Sequence, residues 1–253
     1  MKNKLLYRAG YSEAIRWACR FLAEKGVAMT DTPNAHVTHL LLPVPSFEHD
    51  GRIRGGGILE HILADLPTNI TVIGGNLNHP ALCGYKTMDL LRDGLYAAQN
   101  GSITADCAIR VAGNHLSRVF AGCPILIIGW GRIGKALAAQ LKAMGAAVTV
   151  AARKESDRQM LLALGYGAEN TATLGSGLAR YRVIFNTAPA PILEETQTRC
   201  VPECIKIELA SQPGIEGPDV IKALGLPGKM APESAGKLIA DTIARLLESE
   251  ERI

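Results

Sequence analysis

Apolar and polar residues between positions 124 and 226 form blocks that predict strands and helices in alternation. An apolar run at 124–128 predicts a buried strand, and Ile133, Leu137 and Leu141, spaced by four residues, predict a helix ending near Met144. Further strands are predicted at 147–151, 183–185, 205–209 and 223–226, with a helix at 156–164. Strands that alternate with helices are typical of a parallel α/β sheet.

The residues before position 117 show the same alternation and predict a smaller α/β unit. Its strands are predicted at 5–8, 27–29, 39–44 and 71–73, with a last one at 95–98. Its helices are predicted at 12–25, 58–66, 85–93 and 104–116. Residues 121–124, Ala-Gly-Cys-Pro, then predict a hinge into the second unit.

The C-terminal segment predicts a helix whose apolar face is wide enough to require burial. Its two neighbouring stripes are Leu238, Thr242 and Leu246 beside Ile239, Ile243 and Leu247. Because the second sheet already has its covering helices, we expect this helix to cross back onto the N-terminal domain. The pattern therefore predicts two Rossmann-like parallel-sheet domains with a cleft between them: residues 1–115 completed by 232–253, and residues 116–231.

A glycine-rich motif lies between the strand 124–128 and the helix that follows it: Gly129, Trp130, Gly131, Arg132, Ile133 and Gly134. In a dinucleotide site the first glycine permits a tight turn, the second lets the backbone approach a pyrophosphate, and the third lets the helix pack on the sheet. Free N–H groups and the helix dipole favour an anion there. The alternative is an ordinary strand–turn–helix, but the surrounding pattern favours the dinucleotide site.

The turn after the strand 147–151 is basic, and it suggests which dinucleotide binds. An NAD site usually has Asp or Glu here to accept hydrogen bonds from the ribose. Arg153 can instead donate two parallel bonds to a 2′-phosphate, and Lys154 and Ser156 add a charge and a hydroxyl. One charge-assisted bond contributes roughly 1.5–3 kcal/mol, so NADP is favoured over NAD about tenfold to a hundredfold. The alternative is a solvated charged turn.

Three loops that follow predicted strands are rich in small residues and proline, and ligands of open α/β sheets bind beyond these strand ends. We expect the loops to form a wall beside a nicotinamide ring. The alternative is that proline and glycine only mark turns. The residues assigned to the wall are Asn186, Thr187, Ala188, Pro189, Ala210, Ser211 and Pro227.

Composition excludes several function classes. The 253 residues are 47% hydrophobic, and 27 basic against 24 acidic residues give a net charge of +3 without a basic stripe. With only 5% aromatic residues, nucleic-acid binding is not indicated. No apolar run approaches 18 residues and early charges interrupt the start, so we expect no membrane segment and a cytoplasmic location.

Metal binding is not indicated either. The six cysteines lack a CxxC pair, so they are expected to be reduced packing residues: Cys19, Cys83, Cys107, Cys123, Cys200 and Cys204. His36 and His39 form a lone pair near a strand start, for which a structural or surface role is favoured.

Several of these segments together resemble the A subunits of dipicolinate synthase. The segments are the motif at 129–134, Val-Ala-Ala-Arg at 150–153, Asn-Thr-Ala-Pro at 186–189, Leu-Ala-Ser-Gln-Pro-Gly at 209–214, Leu-Pro-Gly-Lys-Met-Ala-Pro at 226–232 and Ala-Gly at 235–236. The resemblance covers most of the chain and is densest from about residue 95 onward. The family usually begins with an extra glycine-rich strand–turn unit, whereas the N-terminal domain here is shorter.

The resemblance implies an oxidoreductase of spore formation that is one half of a two-component synthase. It would work with a flavoprotein-like B subunit to oxidise dihydrodipicolinate, or its hydroxylated precursor, to pyridine-2,6-dicarboxylate. A homo-oligomer is also expected. The two substrate carboxylates need basic partners, and the candidates are Arg52, Arg54, Lys86, Arg110 and Lys229.

Aromatisation also releases a proton, for which a base is needed. Asp106 and Glu208 are the candidate catalytic residues, and a capping or structural role is the alternative for each. Because the substrate aromatises readily, a strong protein base is not required.

Three other functions are weighed against this one. A 2-hydroxyacid dehydrogenase needs a late histidine, but the last one is His115, and Gln212 rather than arginine follows Ser211. A shikimate dehydrogenase-like NADP enzyme remains the enzymatic alternative, although residues 1–115 lack its Asn-x-Thr-x-Pro-x-Lys run. The third is a non-catalytic NADP-binding scaffold for a flavoprotein.

Overall fold

The computed structural model describes residues 4–199 and 203–250, which form two units that each contain a parallel β-sheet. The chain up to Asn100 and from Pro227 onward belongs to the first unit, and Gly101–Leu226 forms the second. The predicted α/β class, with two Rossmann-like parallel-sheet domains, is confirmed.

The first unit has a five-stranded sheet in the order β2-β1-β3-β4-β5. Its strands are β1 Leu5–Arg8, β2 Ala28–Thr30, β3 His39–Leu41, β4 Thr71–Gly74 and β5 Lys86–Asp89. Its helices are α1 Glu13–Glu24, α2 Leu59–Ala64 and the start of α3 Gly94–His115, with the C-terminal helix described below. Apolar residues of the strands, of the positions next to them and of α2 form a core that includes Leu40, Leu42, Leu59, Ile70 and Val72.

The second unit has a six-stranded parallel sheet in the order β11-β10-β9-β6-β7-β8. Its elements are β6 Pro124–Ile128, α4 Arg132–Ala143, β7 Ala147–Ala151, α5 Glu155–Ala163, β8 Gly167–Glu169, β9 Val183–Asn186, α6 Glu195–Arg199, β10 Ile205–Glu208 and β11 Val220–Lys222. Numbered within the unit, this is the strand order 3-2-1-4-5-6 of dinucleotide-binding sheets, and it reverses between β6 and β9.

Two predictions for the first unit were wrong. The segment predicted as a helix at 85–93 contains β5, which pairs with β4 from Thr71↔Lys86 to Gly74↔Asp89. The segment 95–98, predicted as a strand, lies inside α3, where the Asp93 carboxylate accepts a hydrogen bond of 2.8 Å from the N–H of Tyr96. Pairing in the sheet and capping of the helix thus outweighed local residue preference.

The boundary between the units falls within α3, earlier than the predicted division after residue 115 and the hinge at 121–124. The second part of α3 packs in the second unit, where a Cβ added at Gly101 would lie 3.3 Å from Cβ of Arg132. At the other end of this unit, the predicted strand at 223–226 was also wrong. The edge strand is β11, and a short helix, α7, spans Leu226–Met230.

The last helix, α8 Pro232–Glu250, packs along α1 in the first unit. The approach is closest at Gly236, where an added Cβ would lie 2.4 Å from Cβ of Trp17 and 2.6 Å from the carbonyl oxygen of Ala14. Near the end of α8, the Glu250 carboxylate contacts the ammonium group of Lys4 at 2.7 Å. Burial raises the pKa of Glu250, but hydrogen bonds from lysine and histidine neighbours outweigh it and hold the pKa at about 2.

Across the described residues, no helix is long and apolar enough to cross a membrane, and no group of three or more potential ligand side chains is placed to hold a metal ion. Five of the cysteines are free thiols, and Cys107, Cys123 and Cys204 are buried. Burial raises the pKa of Cys204 to about 12, as expected for a packing residue. Cys200 lies outside the described residues.

We predict that Gly236→Val destabilises the first unit by about 1–3 kcal/mol, because the added side chain must push α1 and α8 apart. Thermal and urea unfolding of the whole chain would measure the loss. Gly228→Ala is the matched control, because an added Cβ there meets nothing within 4 Å. Equal stability of the two variants would contradict the packing shown by the structure.

Candidate functional site

The glycine-rich turn joins β6 to α4 through two close approaches of the backbone. Gly129 has a positive φ of 103°, and an added Cβ would lie 2.6 Å from Oγ1 of Thr187. At Gly134 an added Cβ would lie 2.1 Å from the carbonyl oxygen of Gly129. The first and third glycines of the motif are therefore required for the turn itself and for the packing of α4 on the strand.

The second glycine has a different environment. Gly131 is the N-cap of α4, and an added Cβ would meet nothing within 4 Å. No side chain caps the helix, and its first turn carries no acidic residue. The N–H groups at the start of this twelve-residue helix are thus not satisfied by a capping side chain, which favours an anionic partner.

A pocket of about 720 Å³ lies beside this turn, within the second unit. The end of β7 and the turn after it line one side, and the loop after β9 lines another. Trp130 also lines the pocket, and its ring lies 5.6 Å from the ammonium group of Lys135. The pocket is large enough for a nucleotide, since ligand pockets commonly measure about 300–1,000 Å³.

An arginine that the sequence analysis missed fixes the backbone of the basic turn after β7. Nη1 of Arg158 donates to the carbonyl oxygens of Ala152 at 2.9 Å and Arg153 at 2.7 Å, and Arg158 also pairs with Glu155. The side chains of Arg153 and Lys154 are exposed and make no ion pair with any residue in 4–199 or 203–250. Two cations that line the pocket are thus available to pair with an anionic ligand.

The structure brings only part of the predicted cofactor site to the pocket. The predicted residues that line it are Gly129, Trp130, Arg153, Lys154, Ala188 and Pro189. The predicted residues outside its lining are Gly131, Arg132, Ile133, Gly134, Ser156, Asn186, Thr187, Ala210 and Ser211, while Pro227 belongs to the first unit. The lining residues that the analysis missed are Ala151, Ala152, Asp157, Thr171, Ala172, Ala190, Pro191 and Ile192. Ala190, Pro191 and Ile192 continue the proline-containing loop after β9, so the sequence could have indicated these three.

Two buried polar side chains fix the loops that follow β9 and β10. Nδ2 of Asn186 donates to both oxygens of Glu208 at 2.9 Å and to the carbonyl oxygen of Ala188 at 3.0 Å. Oε1 of Glu208 accepts from the N–H of Ala210 at 2.7 Å, and Oε2 accepts from the N–H groups of Gly214 and Ile215 at 2.8 and 3.1 Å. Asn186 is 0% exposed and Glu208 is 1% exposed. One carboxylate thus ties the wall loops together.

These contacts favour the structural role that was the alternative for Glu208. Each of its oxygens already accepts from Asn186 and from backbone N–H groups, so the carboxylate is not placed to take a proton from a ligand. Asp106 lies on α3 with an exposed side chain and does not line the pocket. The structure does not bring the two candidate bases together at the pocket.

Comparison with known proteins places this site in context. Residues 98–198, which run from α3 to α6, match the family model described as D-isomer specific 2-hydroxyacid dehydrogenase, NAD binding domain. Over 160 residues the chain is 29% identical to the dipicolinate synthase A subunit of Bacillus subtilis (strain 168). The predicted resemblance to the A subunits of dipicolinate synthase is confirmed. That match covers 60% of this chain, which spans about half (54%) of the length of the curated relative.

Solved structures show the same fold over nearly the full chain. The dipicolinate synthase A subunit from Bacillus halodurans superposes with a TM-score of 0.85 at 22% identity, covering 97% of this chain and 98% of that one. Its counterpart from Bacillus subtilis gives the same TM-score and identity over 100% and 98%. A transhydrogenase from Sinorhizobium meliloti follows at 0.73 and 14%, covering 98% and 94%. The NAD-binding domain match supports an oxidoreductase that uses a nicotinamide cofactor.

We predict that Glu208→Gln lowers the free energy of unfolding by about 3 kcal/mol, because the new amide group opposes backbone N–H donors that lose an acceptor. Urea unfolding monitored by circular dichroism would measure this. Glu216→Gln is the control, since this exposed residue lies in the same loop region. If both variants were as stable as the wild type, the carboxylate would not organise these loops.

Proposed function

We propose that the second unit binds NADP and that Arg153 and Lys154 contact its 2′-phosphate. The observation that carries this proposal is the pair of exposed cations at the pocket beside the glycine-rich turn, neither of which has an ion-pair partner in the described ranges. A small residue, Ala152, stands where an NAD site commonly has a carboxylate. A fork of N–H donors on a guanidinium suits a phosphate.

The acidic residues near this turn are compatible with a phosphate. Glu155 pairs with Arg158 and also accepts a hydrogen bond of 2.8 Å from Gln159. These hydrogen bonds, first from Gln159 and then from Arg158, lower the pKa of Glu155. Its charge is therefore offset by a neighbouring guanidinium. Asp157 lines the pocket in the first turn of α5, and we expect the two cations of the turn to outweigh it.

We assign the rest of the cofactor by analogy with other open α/β sheets, in which ligands lie beyond the strand ends. The pyrophosphate would lie over Gly131, where the helix start has open space and no capping side chain. The nicotinamide would lie along the loops after β9 and β10, with Thr187, Ala210 and Ser211 in the wall and the fully buried Asn186 supporting it from beneath. The Asn186–Glu208 pair holds these loops, and Oγ1 of Thr187 is anchored by donating to the carbonyl oxygen of Ile128 at 2.9 Å.

We further propose that the chain acts as the A subunit of a dipicolinate synthase together with a partner B subunit. It would oxidise dihydrodipicolinate, or its hydroxylated precursor, to pyridine-2,6-dicarboxylate. When bound, the nicotinamide would accept a hydride from the substrate ring, and the ring would also lose a proton. The hydroxylated precursor would in addition lose its hydroxyl group as water. Because Glu208 is fully engaged in the loops, we assign that proton to water, and the role of Asp106 stays a prediction.

We predict that replacing Arg153 by Ala weakens binding of NADPH about tenfold to a hundredfold and leaves NADH binding nearly unchanged, because only NADPH presents the 2′-phosphate. Isothermal titration calorimetry with both nucleotides would measure the two Kd values. Arg182→Ala is the matched control, because this half-exposed arginine pairs with Glu203 and does not line the pocket. Equal losses for NADPH and NADH, or tighter binding of NADH by the wild type, would overturn the NADP assignment.

Turnover is tested separately from binding. Formation of pyridine-2,6-dicarboxylate would be followed by its ultraviolet absorbance with NADP, in the presence and absence of the partner B subunit. If this chain binds NADP and forms pyridine-2,6-dicarboxylate in this assay, the result supports the synthase. Nucleotide binding without product, even with the partner present, would instead favour the non-catalytic scaffold. Oxidation of shikimate with NADP would favour the shikimate dehydrogenase-like alternative.

A further inference from the structure

The sheet of the first unit has its own position where strand order reverses. The chain runs from β1 outward to β2 and then returns to β3 on the other side of β1. In open parallel sheets, ligands bind in the crevice beyond the carboxyl ends of the two strands that flank such a reversal. In this unit the strands that flank the reversal are β1 and β3, so the rule predicts a ligand between the loops that follow them, and all residues of the site proposed below belong to this unit.

A hairpin formed by residues 46–57 is anchored to both of these loops. Within the hairpin, Phe47 and Ile53 form an antiparallel bridge. The N–H of Arg54 donates to the carbonyl oxygen of Ser46 at 2.9 Å, and the N–H of Tyr11 donates to the carbonyl oxygen of Arg54 at 3.0 Å. The backbone of Arg54 is therefore held at the reversal point by a hydrogen bond to each side.

The hairpin can approach the loop after β1 this closely only because glycines occupy the points of contact. Gly10 has a φ of +76°, and an added Cβ would lie 2.5 Å from Cγ2 of Ile53 and 2.6 Å from the carbonyl oxygen of Arg54. Gly55 has a φ of +78°, and an added Cβ would lie 2.2 Å from the carbonyl oxygen of Tyr11. Both positions need glycine for conformation and for space. The position of Arg54 is thus built into the fold.

The guanidinium of Arg54 has few hydrogen-bond partners within the protein. Its Nε is buried and has no hydrogen-bond partner, and Nη2 reaches only Oε2 of Glu48, at 3.4 Å. The side chain as a whole is 37% exposed, so solvent reaches this residue although its Nε is buried. Because a buried donor without an acceptor is destabilising, an acceptor that engaged this guanidinium would be stabilising.

The other cations considered for the substrate carboxylates are placed differently. Arg52 is exposed and donates to Asp50 at 2.7 Å. Lys86 is the first residue of β5, at the amino-terminal edge of the sheet, and it pairs with Glu250. Arg110 lies in the second unit, and Lys229 lies exposed in α7. Only Arg54, among these five, stands at the carboxyl edge beside the strand reversal in the described part of the chain.

We propose that Arg54 binds a carboxylate of a small dicarboxylic acid at this crevice. A planar guanidinium can donate two parallel N–H bonds to one carboxylate, which a lysine cannot reproduce. The identity of the ligand as pyridine-2,6-dicarboxylate, or its dihydro precursor, rests on the proposed function. The presence of an anion site at Arg54 does not rest on it.

The test is binding of pyridine-2,6-dicarboxylate by isothermal titration calorimetry, in metal-free buffer because this ligand chelates cations, with and without saturating NADP. We expect Arg54→Gln to weaken binding at least tenfold, and Arg54→Lys to weaken it less because the charge is kept. Arg52→Gln is the matched control two residues away and should change the Kd less than twofold. Thermal unfolding of each variant reports whether the hairpin stays folded.

The outcomes separate this site from the proposed function. NADPH binding should be the same in all three variants, since Arg153 and its pocket lie in the other unit. If the wild type ignores pyridine-2,6-dicarboxylate but binds malonate or glutarate in an Arg54-dependent way, the site stands and the substrate assignment fails. Unchanged affinity in a folded Arg54→Gln variant, an equal loss in Arg52→Gln, or no binding of any dicarboxylate would overturn the proposal.

Discussion

The candidate site depends on one buried carboxylate. Glu208, at the end of β10, accepts hydrogen bonds from Asn186 at the end of β9 and from three backbone N–H groups of its own loop. Loops that follow strands cannot bury their backbone polar groups without partners, and here a single side chain supplies the acceptors. Because these loops stand at the carboxyl edge of the sheet, where ligands of open α/β sheets bind, the shape of the wall offered to a ligand depends on this one residue.

In the first sheet, too, polar side chains satisfy backbone groups of the loops after the strands, but these side chains are shorter than Glu208. The hydroxyl of Ser46 donates to the carbonyl oxygen of Pro43 and accepts from the N–H of Gly75, which joins the loops after β3 and β4. Asp89 accepts from the N–H groups of Asn76 and Leu77 and fixes the next turn. In both units, therefore, polar side chains at strand ends make the carboxyl edge rigid. Such rigidity reduces the ordering cost of binding a ligand.

Cations without close partners mark what these rigid edges can bind. In the second unit, Arg153 and Lys154 extend from a turn whose backbone is fixed by Arg158, while the nearby Glu155 is occupied by that same arginine. In the first unit, Arg54 is fixed through its backbone, its Nε has no hydrogen-bond partner, and its Nη2 contacts Glu48 only at 3.4 Å. A cation whose N–H donors the fold does not fully pair keeps part of its interaction free energy for an anion from outside the chain. The two units thus share one principle of anion recognition.

The sequence by itself determined the class of the fold, the strands β6 and β7 at their observed bounds, and the glycine-rich turn, because continuous apolar runs and glycine spacing are local properties. It did not determine β5 or the start of α3, because an edge strand with charged ends resembles a helix until its partner is known. It named Glu208 and Arg54 as candidates but left their roles open. Only the tertiary structure separated the saturated carboxylate from the unsatisfied guanidinium, because a polar group's chemistry depends on which donors and acceptors distant segments bring to it.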